Sequence, residues 1–316
     1  MNSPESPLSA DNALELFEAL ERMCSSRRCA HIDNLVVAAG SEVHTRSWNE
    51  HDTERPVDTY SLTKPIVTGL VGCALQDGHL ESIDVHVADF LPSARAHHSG
   101  VTVRHLLTMT MSIAGDGFLD IDRIMGLESS WVDAILSLGG ERPPGAAFSY
   151  DNRTAHLTAA LLETVLPEGL LPYADQRLLG PLGCSGWAWP VDTEDIPYGF
   201  GHLRVSALDL ARFGRLWLNG GRHAGSRLID EGFVMAAWRP ASDGGPPEHR
   251  PYGQTWWCDA DANPPVWFAA GYAGQLLAVV PSSGMVVVIT GSEARLTDAA
   301  PPSYELLRKA LADRAG

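Results

Sequence analysis

The spacing of apolar residues shifts along this chain, and each shift predicts a different element. Leu14, Phe17, Leu20 and Met23 mark one face of a helix over Ala13 to Met23, with Ser9-Ala10-Asp11 placed to cap it. Leu35-Val36-Val37-Ala38-Ala39, a Gly40-Ser41 break and Val43-His44-Thr45 predict a β-hairpin. The run from Ile66 to Leu75 is apolar on nearly every side, as a buried helix is. From Ile83 to about Leu166 the pattern is mainly helical, with turns at Pro92-Ser93, Gly115-Asp116-Gly117 and Pro143-Pro144-Gly145. Ala207 to Leu218 is a further amphipathic helix.

The rest of the chain turns to strands. Thr255-Trp256-Trp257, Trp267-Phe268-Ala269-Ala270, Leu276 to Val280 and Met285 to Thr290 are β-rich, and Tyr304 to Ala312 closes as a helix. Pro281 to Gly284 forms the turn between the last two strands, and Gly244-Gly245 with Pro246-Pro247 predicts a loop. Two early strands and several late ones around a helical middle predict an α+β fold. Its antiparallel sheet is flanked by helices and built from both chain ends, with an all-helical domain inserted. The expected limits are 1–75 and 206–316 for the sheet domain and 76–205 for the helical one.

Chemistry enters with the buried helix. Lys64 is one of two lysines, the other being Lys309, in a chain with 23 lysines and arginines together. Arginine keeps its proton in a protein, whereas a desolvated lysine becomes a neutral amine that can act as a base. Ser61 lies three residues before Lys64, hence on the same helical face. With Pro65 in the first turn, Ser61 falls at the helix N-terminus, where unpaired N–H groups and the positive dipole end favour an oxyanion. The bland alternative is a surface serine beside a solvated lysine. A helix apolar on all sides argues against it, and a serine nucleophile activated by an amine is the expected chemistry.

Composition narrows the classes. The chain has 316 residues, a 45% hydrophobic share and a formal net charge of −16. That is a globular make-up, and the charge argues against nucleic acid or an anionic membrane as partner. Met1 to Pro7 has no basic n-region and no long apolar stretch after it, so neither a signal peptide nor a spanning helix is expected, and the expected compartment is the cytoplasm. The five cysteines lack a framework spacing and are expected to be free thiols. The 12 histidines are scattered, and no His-Glu-x-x-His, paired Cys-x-x-Cys, phosphate loop or dinucleotide fingerprint occurs, so no metal and no cofactor is expected.

Several segments, taken in order from about Tyr60 to Thr290, resemble the serine β-lactamase and penicillin-recognising family in its class C and esterase-like (6-aminohexanoate-dimer-hydrolase-like) branch. Ser61-Leu62-Thr63-Lys64 is similar to the first motif, and His105-Leu106-Leu107-Thr108 to the family's His-Leu-Leu-Thr segment. Tyr150-Asp151-Asn152, after Pro143-Pro144-Gly145, resembles the second motif, and Gly201 to Gly214 the helix signature that follows. The β-lactam-acting members carry Lys-Thr-Gly on the strand beside the nucleophile. Here Phe268 to Gln275 contains no lysine or histidine and is similar to the Gly-Tyr-Gly-Gly-Gln form of the esterase-like relatives.

The resemblance implies a β-lactamase-like fold with the active site at the interface of its two domains. It also implies a serine-dependent acyl-transfer enzyme acting through an acyl-enzyme on a small-molecule ester or amide, with Ser61, Lys64 and Tyr150 catalytic. Tyr150 fits by its own chemistry, since a phenol near an ammonium has its anion stabilised and can relay a proton. A core tyrosine above a turn is the alternative, and its place between Pro143-Pro144-Gly145 and Asn152 decides against that. Asn152 either meets substrate or Lys64, or caps a helix. Gly271, Tyr272 and Gly274 are the expected substrate and oxyanion residues, because glycines let a backbone N–H come close. Trp187, Trp189, Trp256, Trp257 and Trp267 either line an acyl pocket or pack a core. A hydrolase (esterase or amidase) is the first expectation, and β-lactam hydrolysis is not expected. A transacylase using an amine or alcohol acceptor shares every catalytic residue. A silent binding protein of the same fold is opposed by the intact Ser61, Lys64 and Tyr150.

Overall fold

The computed structural model describes residues 8–117 and 120–315. Among these, one compact unit draws on residues 8–62, Arg204–Asn219 and 259–315, and a second on residues 63–117, 120–203 and Gly220–Cys258. Residues 63–75 and 220–258, expected with the sheet domain, group with the second unit.

The first unit is built around an antiparallel sheet. Strands Glu42–Ser47, Ile32–Ala39, Met285–Gly291, Gln275–Val280 and Val266–Gly271 lie side by side in that order, so both ends of the chain supply it. Ile32–Ala39, Gln275–Val280 and Met285–Gly291 are buried at every position. A strand covered on both faces loses its polar alternation, which is why these read as continuous apolar runs. The cover comes from helices on opposite faces. Phe268 pairs with Ala278 and Ala269 with Leu277, so the period of two places Phe268 and Leu277 on different sides. Tyr304, on the helix Ser303–Ala315, stacks on Phe268 at 3.6 Å and 3° between planes. On the other face Gly214 of the helix Ala207–Leu218 lies so close that an added Cβ would stand 2.5 Å from Val286 and 2.9 Å from Leu277. The first helix, Leu8–Cys24, takes in Ser9-Ala10-Asp11, which therefore sit inside it and do not cap it. Met1 to Pro7 lie outside the described residues.

The second unit centres on the helix Thr63–Asp77, buried continuously from Thr63 to Ala74, and the helix Asn152–Val165, buried from Arg153 to Leu162. The stretch expected to be mainly helical is more broken than its periodicity implies. Among the described residues between 83 and 151 it holds the short helices Val103–Leu107, Asp120–Met125 and Trp131–Ser137, two 3-10 turns and irregular chain. Gly126 and Gly139 follow the ends of the last two helices. A second correction concerns Gly244-Gly245, which belong to a strand, Ser242–Gly245, paired with Arg250–Tyr252. Gly244 (φ +73°) is there because the Arg250 carbonyl oxygen lies 1.7 Å from where a Cβ would be.

Gly214 offers a test of the helix-on-sheet packing. Replacing a helix glycine returns at most about 1 kcal/mol of propensity, whereas overpacking costs about 1–3 kcal/mol. Valine's branched side chain forfeits part of the gain, so Gly214→Val is expected to destabilise by about 1–2 kcal/mol, a fall of about 2–3 °C in Tm. An unchanged or raised Tm would contradict this packing.

Candidate active site

Lys64 is the second residue of the Thr63–Asp77 helix, and its side chain is buried among apolar neighbours. The ammonium donates to the Phe200 carbonyl at 2.8 Å and lies 4.8 Å from the centre of the Tyr150 ring. Behind it, Val67, Leu107, Met109, Thr68 and Thr255 line a void of about 10 Å³. The two threonine hydroxyls hydrogen-bond each other at 2.8 Å. Taking the amine out of water lowers its pKa to about 7, with the Asp151 carboxylate pulling it back up. An amine so tuned is partly neutral at physiological pH and can accept a proton.

Tyr150 ends a loop tied down on both sides. Gly145 N–H donates to Thr110 O and Ser149 N–H to Met109 O, each at 2.9 Å. The Tyr150 ring stacks on Trp257 (5.9 Å, 18°) and meets Tyr252 edge-on (6.2 Å, 81°). Trp256 and Trp257 are almost wholly buried, so they belong to the core, and Trp257 acts on the site by fixing Tyr150. Asn152 opens the helix Asn152–Val165, but the cap is Asp151, whose Oδ1 accepts the Arg153 N–H at 2.8 Å. Asn152 N–H donates to Gly117 O at 3.1 Å.

Ser61 sits in a 3-10 turn, Tyr60–Leu62, that runs directly into the Thr63–Asp77 helix. Tyr60 adopts φ +44°, an uncommon conformation for a bulky residue, and its N–H is held by Asp58 Oδ1 at 2.8 Å. Backbone strain of this kind is concentrated at functional sites. Gly271 ends the strand Val266–Gly271 against this turn, where a Cβ would lie 3.2 Å from both Ser61 N and Thr59 O. The approach therefore favours glycine. Tyr272 is half exposed, with its ring edge-on to Tyr60 at 5.5 Å. Gly274 (φ +83°) is directed elsewhere: a Cβ there would meet His31 Nε2 at 2.7 Å, and its carbonyl accepts from Ser303 Oγ at 2.7 Å.

The structure thus gathers Lys64 with Tyr150 and Asp151, and Ser61 with Gly271, while Gly274 keeps company with His31. Sequence reasoning misses Arg153, a fully buried guanidinium bound to Asp151, and the Phe200 carbonyl. A signal for the first is an acid and an arginine flanking Asn152; a main-chain acceptor leaves none. Among the described residues no group of three or more His, Cys, Asp or Glu is placed to hold a metal ion. None of their helices is long and apolar enough to cross a membrane.

Comparison with known proteins adds to this geometry. The family model described as Beta-lactamase matches residues 33–311. The chain is 24% identical over 303 residues to the 6-aminohexanoate-dimer hydrolase of Paenarthrobacter ureafaciens, covering 87% of this chain and 74% of that protein. It is 26% identical over 200 residues to penicillin-binding protein 4 of Amycolatopsis lactamdurans, covering 54% of this chain and about half, 52%, of that one. Its fold is similar to that of EstCE1, a hydrolase with promiscuous acyltransferase activity, with a TM-score of 0.75 at 15% identity over 96% of this chain and 100% of the other.

With two lysines in the chain, the Lys64 amine can be followed directly. In protein carrying 13Cε-lysine, one of the two resonances should titrate near pH 7 and be missing from Lys64→Arg. Titration of both only above pH 9 would contradict the burial described.

Proposed function

The chain belongs to the Beta-lactamase family, and on that premise we propose that it is a serine-dependent acyl-transfer enzyme, acting as a hydrolase on a small-molecule ester or amide. Ser61 Oγ attacks the carbonyl carbon while its proton passes to Lys64 and Tyr150. The Ser61 N–H and one from the Gly271 to Gln275 stretch hold the oxyanion. As the tetrahedral adduct collapses, the C–O or C–N bond breaks and the leaving group takes the proton back. Water, giving its proton to the same pair, then attacks the acyl-enzyme; the acyl–Oγ bond breaks, the acid leaves and the proton returns to Ser61 Oγ. Asn152 and Tyr272 are assigned to substrate. The cytoplasm is the proposed setting, with neither nucleic acid nor membrane as a partner.

The observation that carries this reading is the buried amine of Lys64, held on one carbonyl and one phenol face with its pKa near neutrality. A solvated lysine would stay charged at pH 7 and could not serve as base. Transfer to an amine or alcohol instead of water uses the same residues, and it is the second reading because EstCE1, similar in fold, is described with that activity. β-Lactams are proposed to be poor substrates, since Ala269-Ala270-Gly271 at the strand end offers no cation for their carboxylate.

A fluorophosphonate probe should add a single adduct, found on the Ser61 peptide by mass spectrometry and absent from Ser61→Ala. Undiminished labelling of that variant would refute the nucleophile. Hydrolysis of p-nitrophenyl butyrate should fall in parallel, while product amide formed on adding candidate amines would favour the second reading.

A further inference from the structure

Arg153 has no step in the reaction just proposed, yet its side chain is wholly buried. It grips Asp151 as a fork, Nε to Oδ1 at 3.0 Å and Nη2 to Oδ2 at 2.8 Å. Nη1 donates to Ala114 O at 2.9 Å and reaches Asp120 Oδ2 at 3.4 Å. Gly115 and Gly117 lie close around this pair. A Cβ on Gly117 would fall 2.1–2.4 Å from the Asp151 carboxylate, and one on Gly115 (φ +95°) 2.6 Å from Asp120 Oδ2. Packing of this kind leaves the carboxylate one orientation. A buried ion pair adds little net stability, because desolvation offsets its attraction, so stability alone is a weak reason for it.

The charged and titratable groups near the Lys64 amine come from a few segments. Tyr150 presents its ring, and Tyr252 and Trp257 back that ring. Asp151 follows Tyr150 in the chain, with Arg153 and then Asp120 beyond it. The Phe200 segment offers a carbonyl, and the Thr68 and Thr255 hydroxyls bond to each other. Asp151 is the carboxylate that acts on the amine.

We propose that Arg153 is a positioning residue for Lys64 and Tyr150: its fork fixes Asp151 between Tyr150 and Asn152 and limits the hold of that carboxylate on the Lys64 ammonium. The inference rests on Lys64 acting as the base. Without the guanidinium, Asp151 would act on the amine uncompensated, favour the ammonium and delay its deprotonation to higher pH. With both charges gone, the ammonium would lose its carboxylate support and deprotonate at lower pH.

The test is the acid limb of kcat/KM against pH for p-nitrophenyl butyrate, with thermal melts as a check on folding. Arg153→Gln is expected to move the limb up by about 0.5–1 pH unit, and the double variant D151N/R153Q to move it down by a similar amount. Arg153→Lys keeps the charge and loses the fork, so its limb should stay near wild type while its plateau rate falls. A purely structural role would lower the plateau or Tm without ordering the limbs. Any order other than Arg153→Gln above wild type above the double variant, with Ser61 labelling intact, overturns the role of Arg153. Should Arg153→Gln not fold, coincident limbs in wild type and the double variant overturn it equally. Loss of Ser61 labelling in the wild type would instead count against the acyl-transfer reading.

Discussion

Keeping one amine out of water sets the demands on everything around it. A charged ammonium in an apolar interior is costly, and the protein meets that in two ways: it supplies a carbonyl acceptor and an aromatic face, and it lets the neutral form compete. Both depend on the helix Thr63–Asp77 being buried from Thr63 to Ala74, because a half-exposed helix would leave the amine hydrated and protonated. Under the proposed mechanism the apolar run after Pro65 is therefore part of the chemistry as well as of the core. The hydroxyls of Thr68 and Thr255 behind the amine hydrogen-bond each other.

The constraints on Ser61 are of another kind. Its turn is held by main-chain geometry: an Asp58 side chain under Tyr60, a positive φ, and a glycine strand end close to the serine nitrogen. Torsional strain and close backbone approach are tolerated where surrounding packing over-determines them. The sheet behind Gly271 supplies that packing, with central strands buried on both faces by helices.

The sheet is legible from sequence because Gln275–Val280 and Met285–Gly291 are unbroken β-branched and apolar runs around a Pro-Gly turn. Ser61, Lys64 and Tyr150 stand out because their chemistry is unusual for their setting: a lysine in an arginine-rich chain, a tyrosine after a rigid turn. What stays hidden has physical reasons. Periodicity overstates helix between Ile83 and Leu166, since short apolar repeats fit irregular chain pinned by side chains such as Arg153 as well as they fit helices. Gly244 and Gly245 look like a loop because close backbone approach across a strand pair and a turn call for the same residue. The cap at Asp151 in place of Asn152 turns on a single position, which helix propensity does not resolve.

Under the proposed mechanism the Lys64 amine, which deprotonates near pH 7, draws the proton from Ser61. The most direct measurement is the second-order rate of fluorophosphonate labelling of Ser61 against pH, in wild type and in Lys64→Arg. The wild-type rate is expected to rise through an apparent pKa of about 7 and then level. In the arginine variant the rate is expected to be lower by about 10²-fold, with that inflection gone. A rate independent of pH across this range, or a wild-type rate retained by Lys64→Arg, would contradict the mechanism.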